Sequence, residues 1–178
     1  MAHTGRMPAD ARTEALVSER LVLEPLTIEH ATAMVDVLAD QALYEYVGGE
    51  PPTLAQLHDR YAAQVTGVSP DGSQRWFNWI VKRRDSDALV GYVQATVEED
   101  EHGPVAEVAW VITPRHQGQG LASEAAQAMI RWLRSHGITR IAASVHPNHG
   151  ASSGVARRVG LHPTEIVEDG EIRWESAT

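Results

Sequence analysis

The sequence predicts one α/β domain with a mixed sheet flanked by helices. Its length of 178 residues suits a single domain with a real core. Hydrophobic residues at 43% against 22% charged give the balance of a globular chain, neither disordered nor membrane-spanning. A meander of strand-like runs is followed by the order β-α-β-α-β-β, with no repeat and no second domain.

Each element has a local reason. Leu21 to Leu26 alternates as a strand. Thr27 is the expected N-cap of a helix over 28–39, with Ala31, Met34, Val35 and Leu38 on one face. Gly48-Gly49 and Pro51-Pro52 break the chain before a second helix over 54–65. Ser69 to Ser73 is a loop. Trp76 to Val81 is rich in aromatic and β-branched residues and reads as a strand. The turn Asp85-Ser86-Asp87 leads to a strand over 89–97, with Gly91 as a bulge. The acidic stretch from Glu98 to Pro104 is expected to be a connection. Val105 to Ile112 is a third long strand. The apolar stripe Leu121, Ala125, Met129, Trp132, Leu133 predicts a helix over 120–135, closed by Gly137. A strand over 138–145 and a short helix over 152–159, ended by Gly160, follow. A hairpin of 164–167 with 171–174 turns at Asp169-Gly170.

Composition excludes several classes. No apolar run reaches membrane-spanning length, and the first residues lack a signal peptide's apolar stretch. Residues 1–17 therefore read as a flexible leader, 18–178 as the domain, and the expected location is the cytoplasm. Cysteine is absent, which removes disulfides, thiolate zinc sites and a cysteine nucleophile. A net charge of −9 argues against nucleic-acid partners. The charge is uneven: between Ile112 and Gly160 six arginines face one acid, Glu124, so this window is +5 and the rest −14. That window reads either as solvated helix faces or as a basic surface for a polyanionic small molecule.

The informative stretch runs from Val105 to Ala122. A strand passes Pro114 and enters a helix through Gln117-Gly118-Gln119-Gly120. The first amides of a helix lack intrahelical acceptors, and the helix dipole adds positive charge there. Glycines let a phosphate approach the backbone closely. A dinucleotide fingerprint would need glycine where Ser123 stands, and no P-loop Gly-Lys-Ser/Thr follows.

Arg115-His116-Gln117-Gly118-Gln119-Gly120 follows an apolar strand carrying Glu107 and opens a long amphipathic helix. Here the sequence resembles the GNAT N-acetyltransferases, in particular the ribosomal-protein N-terminal (RimJ/RimL-like) branch. Ser18 to Leu26 and Ala106-Glu107-Val108-Ala109-Trp110 resemble that branch too. The resemblance implies a single domain whose mostly antiparallel sheet has splayed central strands, and acetyl-CoA as donor, leaving CoA as product. It places the pyrophosphate on the amides of Gln117, Gly118, Gln119, Gly120, Leu121, Ala122 and Ser123. It places the pantetheine arm against the preceding strand near Ile112 and Thr113. The stretch from His146 to Leu161 is similar to the family's second element, matching at Ser152, Val155, Ala156, Gly160 and Leu161. The family's Asn position falls on His149. Either His149 takes its place, or the loop lets Asn148 reach. Ser152 is expected at the cofactor arm or as the cap of its helix.

Amine acetylation needs a neutral nucleophile, so a base or ordered water must take a proton. Glu107 is the expected base. It alternates with Val105, Ala109 and Val111 on one sheet face, and apolar company would make a carboxylate hold its proton more tightly. Relatives with a catalytic tyrosine carry it where this chain has Ala156, so either Ser152, Ser153 or water protonates the leaving thiolate, or no acid is needed, since a thiolate is already a fair leaving group. Trp110 reads as core packing ahead of an acceptor-pocket lining. Tyr44, Tyr46, Trp76 and Trp79 read as an acceptor wall, with the core the stronger reading for the two Trp. His146-Pro147-Asn148-His149 has HxxH spacing but lacks a third ligand, so no metal is expected. The resemblance implies an acceptor that is a protein N-terminus, an amino acid or polyamine, or an amine antibiotic, and a homodimer. The competing reading is a non-catalytic acyl-CoA sensor on the same fold.

Overall fold

The computed structural model describes residues 11–177. Along them run β1 (Leu16–Val17), β2 (Leu21–Pro25), α1 (His30–Val37), a 3-10 turn (Gln41–Tyr44), α2 (Leu54–Gln64), β3 (Arg75–Arg83), β4 (Leu89–Asp100) and β5 (Gly103–Ile112). A second 3-10 turn (Pro114–His116), α3 (Leu121–Ser135), β6 (Arg140–Val145), α4 (Gly150–Arg158), β7 (Leu161–Glu168) and β8 (Glu171–Ser176) complete it. The strands form one sheet in the order β1-β2-β3-β4-β5-β6-β8-β7. Each neighbouring pair is antiparallel except β5 and β6, which the α3 crossover makes parallel.

Alternation sorts the side chains into two layers. Phe77, Trp79, Val93, Ala95, Ala106, Val108 and Ile112 face α3 and α4, where Leu121, Ala125, Met129, Leu133 and Ala156 are buried against them. Trp110 is partly buried and packs against this core. The opposite face carries a smaller cluster in which Ala31, Met34, Leu38, Leu57 and Tyr61 cover Ile80, Tyr92 and Val111. Among the described residues, no helix is long and apolar enough to cross a membrane.

Several boundaries differ from expectation. Residues 11–17 are docked rather than flexible: the Trp79 indole donates to Glu14 O at 2.8 Å, the Trp132 indole to Glu14 Oε1 at 2.7 Å, and Leu16–Val17 pairs with β2. Residues 1–10 of the expected leader lie outside the described residues. Thr27 does not cap α1. That helix begins at His30, whose ring accepts from the Thr27 amide at 3.0 Å. The acidic stretch 98–104 is not a connection: β4 and β5 run through it and turn only at Glu101-His102. α4 begins at Gly150, and β7 runs from Leu161.

The expected bulge is present. Val81 pairs with Gly91 and Lys82 with Leu89, so Val90 is the extra residue. Gly91 is required for a second reason, because a Cβ there would lie 1.9 Å from the Val111 carbonyl oxygen.

Candidate active site

β5 and β6 pair only over Val105–Glu107 with Arg140–Ala142. Beyond these three pairs the strands diverge, and among the described residues no strand neighbours the edge of 108–112 on that side. The β4 bulge lies beside the mouth of this gap, since Gly91 pairs with Ile112 and Val90 O accepts from the Thr113 amide at 2.8 Å.

The loop at the end of β5 is held open by two glycines in the left-handed region, Gly118 at φ 74° and Gly120 at φ 78°. From Gly118 to Ser123 none of the six successive amides donates to an acceptor among the described residues; Glu124 N is the first to do so, to Gly120 O. These amides open α3, whose first turn lends them the positive end of its dipole. Among the described residues, no atom lies within 4 Å of the position a Cβ would take at Gly118. The donor set suits a pyrophosphate.

Distant segments brace the loop. Arg20 donates to Gln119 O at 2.8 Å and forms an ion pair with Glu124 at 2.6 Å. Arg83 donates to Gln119 Oε1 at 3.0 Å, and Gln117 Nε2 donates to Ile112 O at 2.8 Å. Burial pushes the Glu124 carboxyl up, but donors from Arg20 and Ser18 outweigh it and hold it below its usual 4.5. Arg20 and Arg83 were outside the basic window read from sequence. The pairing of β2 with β3 brings them to the loop, and no local motif signals it. Of the window's arginines, Arg140 instead pairs with Asp100, and Arg157 lies over the Trp174 ring.

Two of the expected binding residues have backbone groups engaged within the fold. The Ile112 carbonyl is taken by Gln117, while Thr113 donates to Val90 and accepts from His116. Both are buried. Further back on β5, residues 108–111 have no described strand beside them on the β6 side. Leu121 and Ser123 have buried side chains, so they present only amides to the loop; the Ser123 hydroxyl has no partner among the described residues.

Glu107 is not in apolar company. Its Oε2 accepts from Arg173 at 3.1 Å and its Oε1 from Ser144 Oγ at 2.9 Å, and its side chain is 41% exposed. It faces the α1–α2 side, beside Thr96 of β4 and Ala142 of β6. Arg173 is 66 residues away in sequence and reaches it because β8 pairs with β6.

His149 is the N-cap of α4: its Nδ1 accepts from the Ser152 amide at 3.3 Å. Ser152 is thus capped rather than the cap. The Tyr46 ring lies tilted against His149, with centroids 4.5 Å apart, and 5.4 Å from that of His146. Asn148 donates its amide to His146. Burial, then the neighbouring His146, holds the His149 ring below the ordinary 6.5, against an opposing pull from Glu45. Ala156 is fully buried.

The family model of the acetyltransferase (GNAT) domain matches residues 20–162, four-fifths of the chain. The chain belongs to the GNAT acetyltransferases. It is 28% identical over 160 residues to the uncharacterized N-acetyltransferase p20 of Bacillus licheniformis, covering 89% of this chain and 88% of that one. It is 25% identical over 147 residues to the uncharacterized N-acetyltransferase YnaD of Bacillus subtilis, covering 82% and 81%. Among solved structures, RimL, a ribosomal L7/L12 α-N-protein acetyltransferase in complex with coenzyme A, aligns at TM-score 0.72 with 17% identity, over 91% of this chain and 97% of that one. The microcin C7 self-immunity acetyltransferase MccE, in complex with acetyl-CoA and AMP, aligns at TM-score 0.71 with 11% identity, over 90% and 94%. These two likenesses show the shared GNAT fold.

Proposed function

We propose that this GNAT acetyltransferase uses acetyl-CoA to acetylate a primary amine, which attacks the thioester directly. Acetyl-CoA, when bound, supplies the acyl carbon and a thiolate leaving group. The observation that carries the reading is the run of six acceptor-free amides, 118–123, opening beside the β5–β6 gap. The amides bind the pyrophosphate, and the 108–111 edge takes the arm as an added strand.

Glu107 takes the amine proton directly or through one water. Each of its oxygens keeps a lone pair beyond the bonds from Arg173 and Ser144, which fix its position. In this reading Ser152, half-buried in the first turn of α4 with no side-chain partner among the described residues, returns a proton to sulfur. In the same reading Asn148 and His149, in the loop between β6 and α4, contact the cofactor arm. The acceptor is a small molecule or a peptide, and the RimL likeness motivates including peptide N-termini in any screen.

Calorimetric titration with acetyl-CoA tests the cofactor site: micromolar binding, about −8 kcal/mol, is expected. An amine screen reading CoA release then tests transfer. Glu107→Gln should lower kcat by roughly 100-fold or more, within the range of general-base contributions, with acetyl-CoA affinity unchanged. Binding without release for any amine would instead establish a sensor, and absence of binding at millimolar ligand would defeat both.

A further inference from the structure

Under α2, on the Glu107 face of the sheet, lies a cavity of about 210 Å3. Its polar lining includes Arg60 and Tyr61 from α2, Asn78 from β3, and Tyr92 and Gln94 from β4. None of these five side chains forms a hydrogen bond or ion pair with any described residue. Tyr61 is the sharpest case: it is 4% exposed, and its hydroxyl is buried with no partner. A buried hydroxyl without a partner is a cost that folded proteins rarely keep.

The lining contains one arginine and no Asp or Glu, in a chain whose net charge is −9. Arg60 is exposed at the rim, close enough to Tyr44, Tyr61 and Tyr92 to act on all three electrostatically. Burial pushes the Tyr61 phenol above its ordinary value of 10.0, so it stays a neutral donor. Guanidinium, phenol and amide N–H groups around one small space make a site rich in donors, and the guanidinium selects an anion.

The register places this space beside the proposed chemistry. Asn78 pairs with Gln94, Gln94 with Ala109, and Ala109 is two residues from Glu107 on the same face. Strands lie about 4.8 Å apart and residues i and i+2 about 7 Å apart. A group in the cavity and an amine over β5 are therefore only a few bonds from one another.

We propose that this cavity holds the carboxylate of the acceptor, so that the amine acetylated beside Glu107 belongs to a free amino acid or short peptide with its own carboxylate. The proposal rests on the transferase reading for the word acceptor, but the anion site stands or falls separately. Arg60 and Tyr61 set specificity here and take no part in bond making.

The test is calorimetric. The full chain, with and without CoA, is titrated with free amino acids and glycylglycine, and with the carboxamide of each. At least one acid should bind about tenfold or more tighter than its carboxamide. Arg60→Met, at an exposed position, should remove that preference. Tyr61→Phe should weaken the same acid several-fold without lowering Tm, since the lost hydroxyl bonds nothing in the fold. The proposal is overturned if no acid outbinds its carboxamide, or if Arg60→Met leaves the preference intact. An acid that binds through Arg60 but yields no CoA release from acetyl-CoA would refute the transferase reading and leave the anion site standing.

Discussion

At the scale of single residues, His149 links chemistry to stability. It caps α4 by accepting at Nδ1, which requires the proton on Nε2. Protonation falls on Nδ1 and abolishes the acceptor. Because the folded-state value lies below the ordinary 6.5, the unfolded chain binds this proton more readily, so the stabilisation is full above about pH 6.5 and is lost as pH falls through the folded value. Thermal melts between pH 7.5 and 5 should therefore show Tm falling on acidification. His149→Asn, a favoured cap without a titrating ring, should flatten that slope, and an unchanged slope would remove His149 as the group responsible. Sequence located the position as a departure from the family's Asn. It did not show that the ring fills the helix cap, because Tyr46 and Ser152 meet it only in three dimensions. Glu107 was legible as a mid-strand carboxylate, whereas its surroundings were misread. Alternation gave its face, but that face is polar at this point because Ser144 and Arg173 arrive from β6 and β8.

At the scale of elements, α3 and its loop were the most legible part of the chain. The stripe from Leu121 to Leu133 sets the helix, and two glycines with positive φ set the approach. Gly118→Asp joins two penalties, a strained left-handed backbone for a non-glycine residue and a carboxylate at the mouth of the amide run. Acetyl-CoA affinity should fall at least about 100-fold in a titration, with the far-ultraviolet spectrum retained; native affinity would refute the loop assignment. Strand ends were least legible. Glu98, Glu99 and Asp100 look like a solvated loop, yet they extend β4 as an exposed hairpin end. Backbone pairing with Gly103 to Val105 outweighs their poor strand propensity. Arg140 adds a bidentate bond to Asp100 from a strand no local pattern connects to it.

At the scale of the whole molecule, the sheet falls into two parts. β1 to β5 form a continuous antiparallel array, while β6, β8 and β7 form a second array, and three residue pairs on β5 and β6 join the two. The order of elements predicted one mixed sheet, and the resemblance supplied the splay. The length of the junction depends on where β6 turns away, which no periodicity records. A short junction is a boundary of cooperativity. Fluctuations that open the 140–176 block need break few bonds to the rest of the sheet, so the two arrays should exchange their amide hydrogens at different rates. Hydrogen–deuterium exchange should show 140–176 less protected than β3 and β4 in the free chain. Acetyl-CoA should slow exchange on both banks, because a ligand lying between them bonds only the closed form. A single common rate, unmoved by ligand, would show that the arrays open together. On this view the donor substrate is also a missing rung: with it in place the two arrays become one folding unit, and each departure of product returns the chain to two.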